Sequence, residues 1–123
     1  MRRNGNELTS VPRVADLAAG EWQEHARFPG ISIKGLLTAA DNPFASVNVI
    51  QVPPGGDVGR HHHPKQVETV WVIRGMAILT LAQTEVSITN GQIIAIPVGL
   101  EHALRNEGTT LVELLTFFTP PLA

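Results

Sequence analysis

The stretch GGDVGRHHHPKQVETVWVIRG, residues 55–75, decides how this chain is read. A glycine-rich turn runs into three consecutive histidines, and a proline and a lone glutamate then open a valine-rich run. Side chains on a strand alternate faces, so His61 and His63 share one face and His62 takes the other. Glu68 opens the next strand, and an antiparallel return brings its carboxylate beside the two imidazoles. Two nitrogens and a carboxylate oxygen facing inward are a partial shell for a divalent metal. The competing reading is a surface turn carrying three solvated histidines, and for an isolated His-His-His that reading wins.

A second stretch, GQIIAIPVGLEHALRN (91–106), changes the balance. It holds a turn glycine, a strand, a Pro-x-Gly turn and His102 near the start of a further strand. A fourth ligand from a strand distant in sequence is what closes a metal shell inside a barrel.

Together the two stretches resemble the cupin family. The family's first motif is a glycine, five residues, His-x-His, three or four residues, a glutamate, six residues and a glycine. Gly55, His61, His63, Glu68 and Gly75 stand at those spacings. The second motif is a glycine, five residues, Pro-x-Gly, two residues, a histidine, three residues and an asparagine, met by Gly91, Pro97, Gly99, His102 and Asn106. The motifs cover 55–106, the strand pattern extends the match to about 44–119, and the first 40 residues lie outside both. The resemblance implies an all-β chain: a cupin double-stranded β-helix, or jelly-roll barrel, with a short, partly irregular N-terminal segment, one domain over 1–123. It also implies one metal held by His61, His63, Glu68 and His102, and a homodimer. Three neutral imidazoles and one carboxylate suit Mn²⁺, Fe²⁺, Co²⁺, Ni²⁺, Cu²⁺ or Zn²⁺ and leave positions open for water, substrate or dioxygen. His62 and His25 fall outside the ligand set.

Turn signals elsewhere mark further short strands. These are 30–37, 44–52, 68–75, 76–82, 84–88, 92–97, 101–106 and 109–118, with the turn at Glu107-Gly108-Thr109 read as a hairpin. RVADLAAGEW (13–22) reads as one or two helical turns. Along the strand opened by Glu68, the ligand's face continues with Val70 and Val72, which predicts an apolar cavity wall. The opposite face carries Trp71 and Ile73, too apolar to be wet, so the N-terminal segment or a second subunit covers it.

Composition narrows the function. Nine basic and eleven acidic residues, a net charge of −2, give no footprint for nucleic acid or anionic lipid. No apolar run is long enough to span a bilayer, and MRRNGNELTS lacks the apolar core of a signal peptide, so the expected location is cytoplasmic. The chain has no cysteine and no tyrosine, which removes thiol chemistry and a phenolate base.

Other candidates are weaker. Arg60 and Lys65 bracket the histidines and either attract an anionic substrate or are simply solvated. Asn48 sits mid-strand as a partner for a ligand, a substrate contact or a solvent-facing residue. Glu113 is a candidate buried general base, against the commoner outward-facing carboxylate. Phe117 and Phe118 occupy opposite faces. The expected activity is a metal-dependent oxygenase acting on a small, largely apolar molecule. The alternatives are a non-redox isomerase or lyase and a non-catalytic ligand-binding protein, since a fold does not choose among them.

Overall fold

Burial with a period of two builds the sheets. In β5 (Val67–Arg74), Glu68, Val70 and Val72 are buried while Trp71 between them is exposed. The computed structural model describes residues 12–122, which form ten strands. The other nine are β1 (Gln23–Glu24), β2 (Ser32–Leu37), β3 (Ser46–Val52), β4 (Asp57–His61), β6 (Met76–Leu81), β7 (Thr84–Thr89), β8 (Ile93–Ile96), β9 (His102–Arg105) and β10 (Val112–Thr119). They form two antiparallel sheets, one ordered β1-β2-β3-β10-β5-β8 and the other β4-β9-β6-β7. From β3 onward the chain changes sheet at each connection except the β6–β7 hairpin, which is the jelly-roll course.

The two inner faces meet over Ile31, Val52, Val70, Val72, Ala77, Leu79, Ile88, Ile96, Leu104, Val112 and Leu114. Burying one such side chain stabilises the fold by about 1.5–3 kcal/mol for the larger members, so this cluster carries the barrel. Gly75 makes the change of sheet from β5 to β6. Its φ is 93°, and a Cβ there would lie 2.8 Å from the Leu111 carbonyl oxygen. Only glycine fits that crossing.

Two local expectations fail for tertiary reasons. Residues 13–22 do not form helical turns. Asp16 accepts from the Ala18 N–H through its side chain (2.9 Å) and from the Ala19 N–H through its carbonyl (3.1 Å), and Gly20 with φ 83° ends the turn. The carbonyls of Leu17 and Ala19, which a helix would use, accept instead from the buried Lys34 ammonium. The turn after β9 is likewise not a hairpin, because β9 and β10 belong to different sheets. Asn106 pins that corner by donating to Val52 O (2.9 Å) and Thr110 O (2.8 Å) while accepting from Gly108 N (2.9 Å).

Candidate metal centre

Both sheets contribute to the histidine cluster. β4 pairs with β9 so that His61 lies opposite His102, after a shift of register between Val58 and His61. That irregularity lets Val58 and His61, three residues apart, both face the cavity. His63 lies beyond the end of β4, and its carbonyl accepts from Gly99 N (2.9 Å), tying the first motif to the Pro-x-Gly turn of the second. His62 is exposed. Glu68 does not return on a strand paired with β4: β5 pairs with β10 and β8, and the carboxylate meets the imidazoles from the opposing sheet. The barrel's closure, not a hairpin, brings acid and imidazoles together.

His61, His63, Glu68 and His102 each offer one ligand atom, and these atoms all lie within 4.8 Å of one another. Glu68 Oε1 is 3.0 Å from His102 Nε2 and 3.3 Å from His63 Nε2. His61 Nδ1 and His102 Nδ1 are held by the carbonyls of Gly59 (2.7 Å) and Leu100 (2.8 Å). A carbonyl requires an N–H from each ring, so the neutral tautomer of each leaves a lone pair on Nε2. For His102 that lone pair would face a carboxylate oxygen, an arrangement that needs a proton or a metal ion between them. His63 Nε2 is buried without a hydrogen-bond partner. An orphaned buried nitrogen beside a shared carboxylate oxygen is a donor set that fits a metal, with the carbonyls fixing ring orientation. The cluster is able to hold such an ion.

Electrostatics agree. Burial pushes the Glu68 carboxyl up, but the close contacts and charges of His102 and His63 outweigh it and bring it to about 2. For His102, burial lowers the pKa, and contact with Glu68 and the Leu100 carbonyl raises it to a net increase. For His61 burial prevails, and the ring is held toward its neutral, ligating form.

Residues 48–118 match the sequence profile of the Cupin domain, more than half of the chain. The chain belongs to the cupin family. Among curated relatives, this cupin is 32% identical to Protein SchB of Streptomyces halstedii over 98 residues, 76% of this chain and 69% of SchB. It is 33% identical to a mannose-1-phosphate guanylyltransferase of Klebsiella pneumoniae over 73 residues, 59% of this chain but only 16% of that much longer protein. Among solved structures, the polyketide cyclase RemF from Streptomyces resistomycificus superposes with a TM-score of 0.77 at 19% identity, covering 89% of this chain and 80% of RemF. The last comparison establishes the jelly-roll fold.

The cupin's centre lies in a cavity of about 190 Å³ between the sheets. Its wall is apolar, with Ile50, Val70, Leu79, Leu104, Leu114 and Phe118 among the lining residues. Phe118 stands 4.9 Å from the His63 ring, while Phe117 takes the opposite face as expected. Val70 lines the cavity, whereas Val72 is buried in the core away from it. Asn48 and Thr116 add polar groups to the lining.

Glu113 is not at the cavity. It is on the outer face of the six-stranded sheet, where Gln51 Nε2 donates to it at 2.8 Å and Arg74 pairs with it at 3.8 Å. Leu114 and Thr116, its neighbours in alternation, take the inward positions. Arg60 is paired with Glu101 (2.8 Å), and neither it nor Lys65 lines the cavity. The cavity mouth is furnished instead by His25, which the sequence set aside as a non-ligand, and by Arg27 and Phe28, which it did not single out. Phe28 stacks 5.3 Å from His61 and 4.9 Å from His25. These residues reach the site through the β2–β3 pairing, and no fixed spacing ties them to either motif.

Proposed function

We propose that this cupin binds one divalent transition metal through His61, His63, Glu68 and His102 and acts as an oxygenase on a small, largely apolar organic molecule. The observation that carries this reading is three imidazoles and one carboxylate converging on an apolar cavity of about 190 Å³. A bound divalent ion there supplies net positive charge and open coordination positions for dioxygen and for an anionic enolate or phenolate. The chain's own part is to orient the imidazoles through Gly59 O and Leu100 O, keep bulk water out with Val70 and Phe118, and hold the substrate against that wall. No protein base is needed for a substrate that arrives as an anion.

A second reading, isomerase or lyase chemistry with the metal as a Lewis acid, is favoured by Asn48 and Thr116, which give the lining polar groups beyond the ligands. A third is ligand binding without turnover. Elemental analysis of protein from its native host, followed by assays with small phenols and diketones with and without oxygen, separates the three. Oxygenase activity stops without oxygen. Equal anaerobic turnover with zinc in place of the native metal supports the Lewis-acid reading, and no turnover with ligand retained supports the third.

The same reading extends to assembly as a homodimer through the outer face of β5. Leu17, Ala18 and Trp22 sit at the part of that face near Gln51 and Glu113. Trp71 and its neighbour Ile93 stay 38% and 59% exposed, an apolar pair of the kind a second subunit covers. Among the described residues no helix is long and apolar enough to cross a membrane.

A further inference from the structure

The turn between β1 and β2, residues 25–31, brings a cation to the mouth of a cavity whose wall is mostly apolar away from the histidine cluster. Arg27 lines the cavity, and its guanidinium lies 5.4 Å from the centre of the Phe28 ring. Arg60, Arg74 and Arg105 each have a carboxylate partner, and among the described residues Arg27 has none within ion-pair distance. Among the described residues, the only carboxylate lining the cavity is Glu68, already held between His63 and His102. Arg27 is exposed at the cavity mouth, and a positive charge there without a counter-ion is a place for an anion carried by the ligand. His25 adds a second donor. Its Nδ1 accepts from the Arg27 N–H (3.1 Å), so the neutral ring carries its proton on Nε2.

We propose that Arg27, with His25 beside it, reads the carboxylate of a small substrate whose apolar body packs on Phe28 and the inner wall. This rests on the reading above, in which the cavity is the substrate site, and it names the substrate class. Phe28 is the measure of length: the same ring touches the guanidinium at 5.4 Å and the ligand imidazole of His61 at 5.3 Å. The guanidinium and the His61 imidazole are thus at most about 11 Å apart, a span that a one-ring or short-chain monocarboxylate can bridge. The volume agrees, since an apolar cavity of about 150 Å³ takes up benzene and this one has about 190 Å³. The class is a one-ring or short-chain monocarboxylate with its reacting end opposite the carboxylate. Arg27 is a positioning residue, fixing which end of the substrate faces the metal centre.

The test measures binding without turnover, by calorimetry on the metal-loaded protein, using phenylacetate and its neutral isostere phenylacetamide. The native chain is expected to bind phenylacetate about tenfold or more tighter, as a charge-assisted hydrogen bond predicts. Arg27→Gln should abolish that preference while leaving phenylacetamide affinity and metal content unchanged, and Arg27→Lys should restore part of it. Arg60→Gln, which removes a cation paired outside the cavity, should leave the preference intact. A preference that survives Arg27→Gln, with the carboxylate then read at the metal centre, overturns the proposal. So does a native chain that binds neither probe or both equally. Failure of the metal-enzyme reading looks different: the native chain then holds no metal or shows no turnover, whereas this proposal fails only through the binding preference between the two probes.

Discussion

Glu68 and Glu113 are buried to almost the same degree, 8% and 9% exposed, on neighbouring strands of one sheet. Their surroundings differ entirely. Glu68 faces inward to two imidazoles, with no Lys or Arg among its ion-pair partners. Glu113 faces outward, accepting from the neutral Gln51 amide and pairing with Arg74, whose side chain is 58% exposed. A buried carboxylate is costly wherever it stands, so burial alone does not mark a functional group. The partners mark it. Glu113 has a donor and a solvated counter-charge, and its surroundings are complete. Glu68 shares one oxygen between two imidazole nitrogens, one of them without a hydrogen bond, in a cluster that is able to hold a cation.

The inner-face region breaks most visibly. Glu68→Gln and His102→Ala each remove a ligand and should reduce bound metal by about tenfold or more, read as metal per chain after dialysis at neutral pH. Metal should also leave the native chain as pH falls below about 6, where protons compete for imidazole nitrogen. Unchanged metal content in both variants would erase the distinction between the two glutamates.

The outer face has its own large effect. Trp71→Asp places a charge in the exposed apolar pair and should convert dimers to monomers or to insoluble protein, followed by sedimentation. Metal content per soluble chain should not change, because Trp71 points away from the cavity. A native chain that sediments as a stable monomer at micromolar concentration removes the dimer.

Sequence carried the inner face further than the outer one, for physical reasons. Gly75 at its crossing and Asn106 at its corner each meet a local backbone requirement, and the four clustered residues converge on one point, so all six sit at fixed spacings. Most strands were legible to within a few residues, but β1 was not read, and β4 ends at His61, so His63 reaches the cluster from the connection and not from a strand. What failed depended on which sheet a segment joins. The Glu107-Gly108-Thr109 turn looks local but bridges two sheets, and residues 13–22 have helical spacing but lose two carbonyls to Lys34. Val58 and His61 escape simple alternation through a register shift that no residue type announces. The mouth residues, His25, Arg27 and Phe28, depend on tertiary pairing alone.

A third test sharpens the electrostatic side of the comparison. The folded Glu68 carboxyl sits at about 2, below its ordinary 4.5. A depressed carboxyl contributes stability that is fully present above the ordinary value and is lost as pH falls through the folded one. In the metal-free chain, stability from this group should therefore decline between about 4.5 and 2. Glu68→Gln, which cannot titrate, should flatten that part of the acid-unfolding curve, followed by circular dichroism in chelator. A curve of unchanged slope over that range would mean that the imidazoles do not hold the carboxylate in the folded chain.

The smallest expected effect belongs to Glu113→Gln, and it is the most exposed to disproof. The replacement has nearly the same shape, so packing on the outer face is conserved. Its amide oxygen takes over the acceptor role toward Gln51 Nε2, which donates to the present carboxylate at 2.8 Å. What is lost is the charge opposite Arg74 at 3.8 Å, and a long pair whose cation is mostly exposed is worth under about 1 kcal/mol. Exchanging a charged acceptor for a neutral one at Gln51 adds a similar amount, so the total cost is about 1 kcal/mol. Denaturant unfolding should show that shift, while metal content and turnover stay at the native level. Loss of turnover with metal intact would show that Glu113 reaches the chemistry from the far side of the sheet. The contrast between the two faces would then fall, and general-base catalysis would have to be sought through β10, the strand that carries both Glu113 and the cavity-lining Leu114 and Thr116.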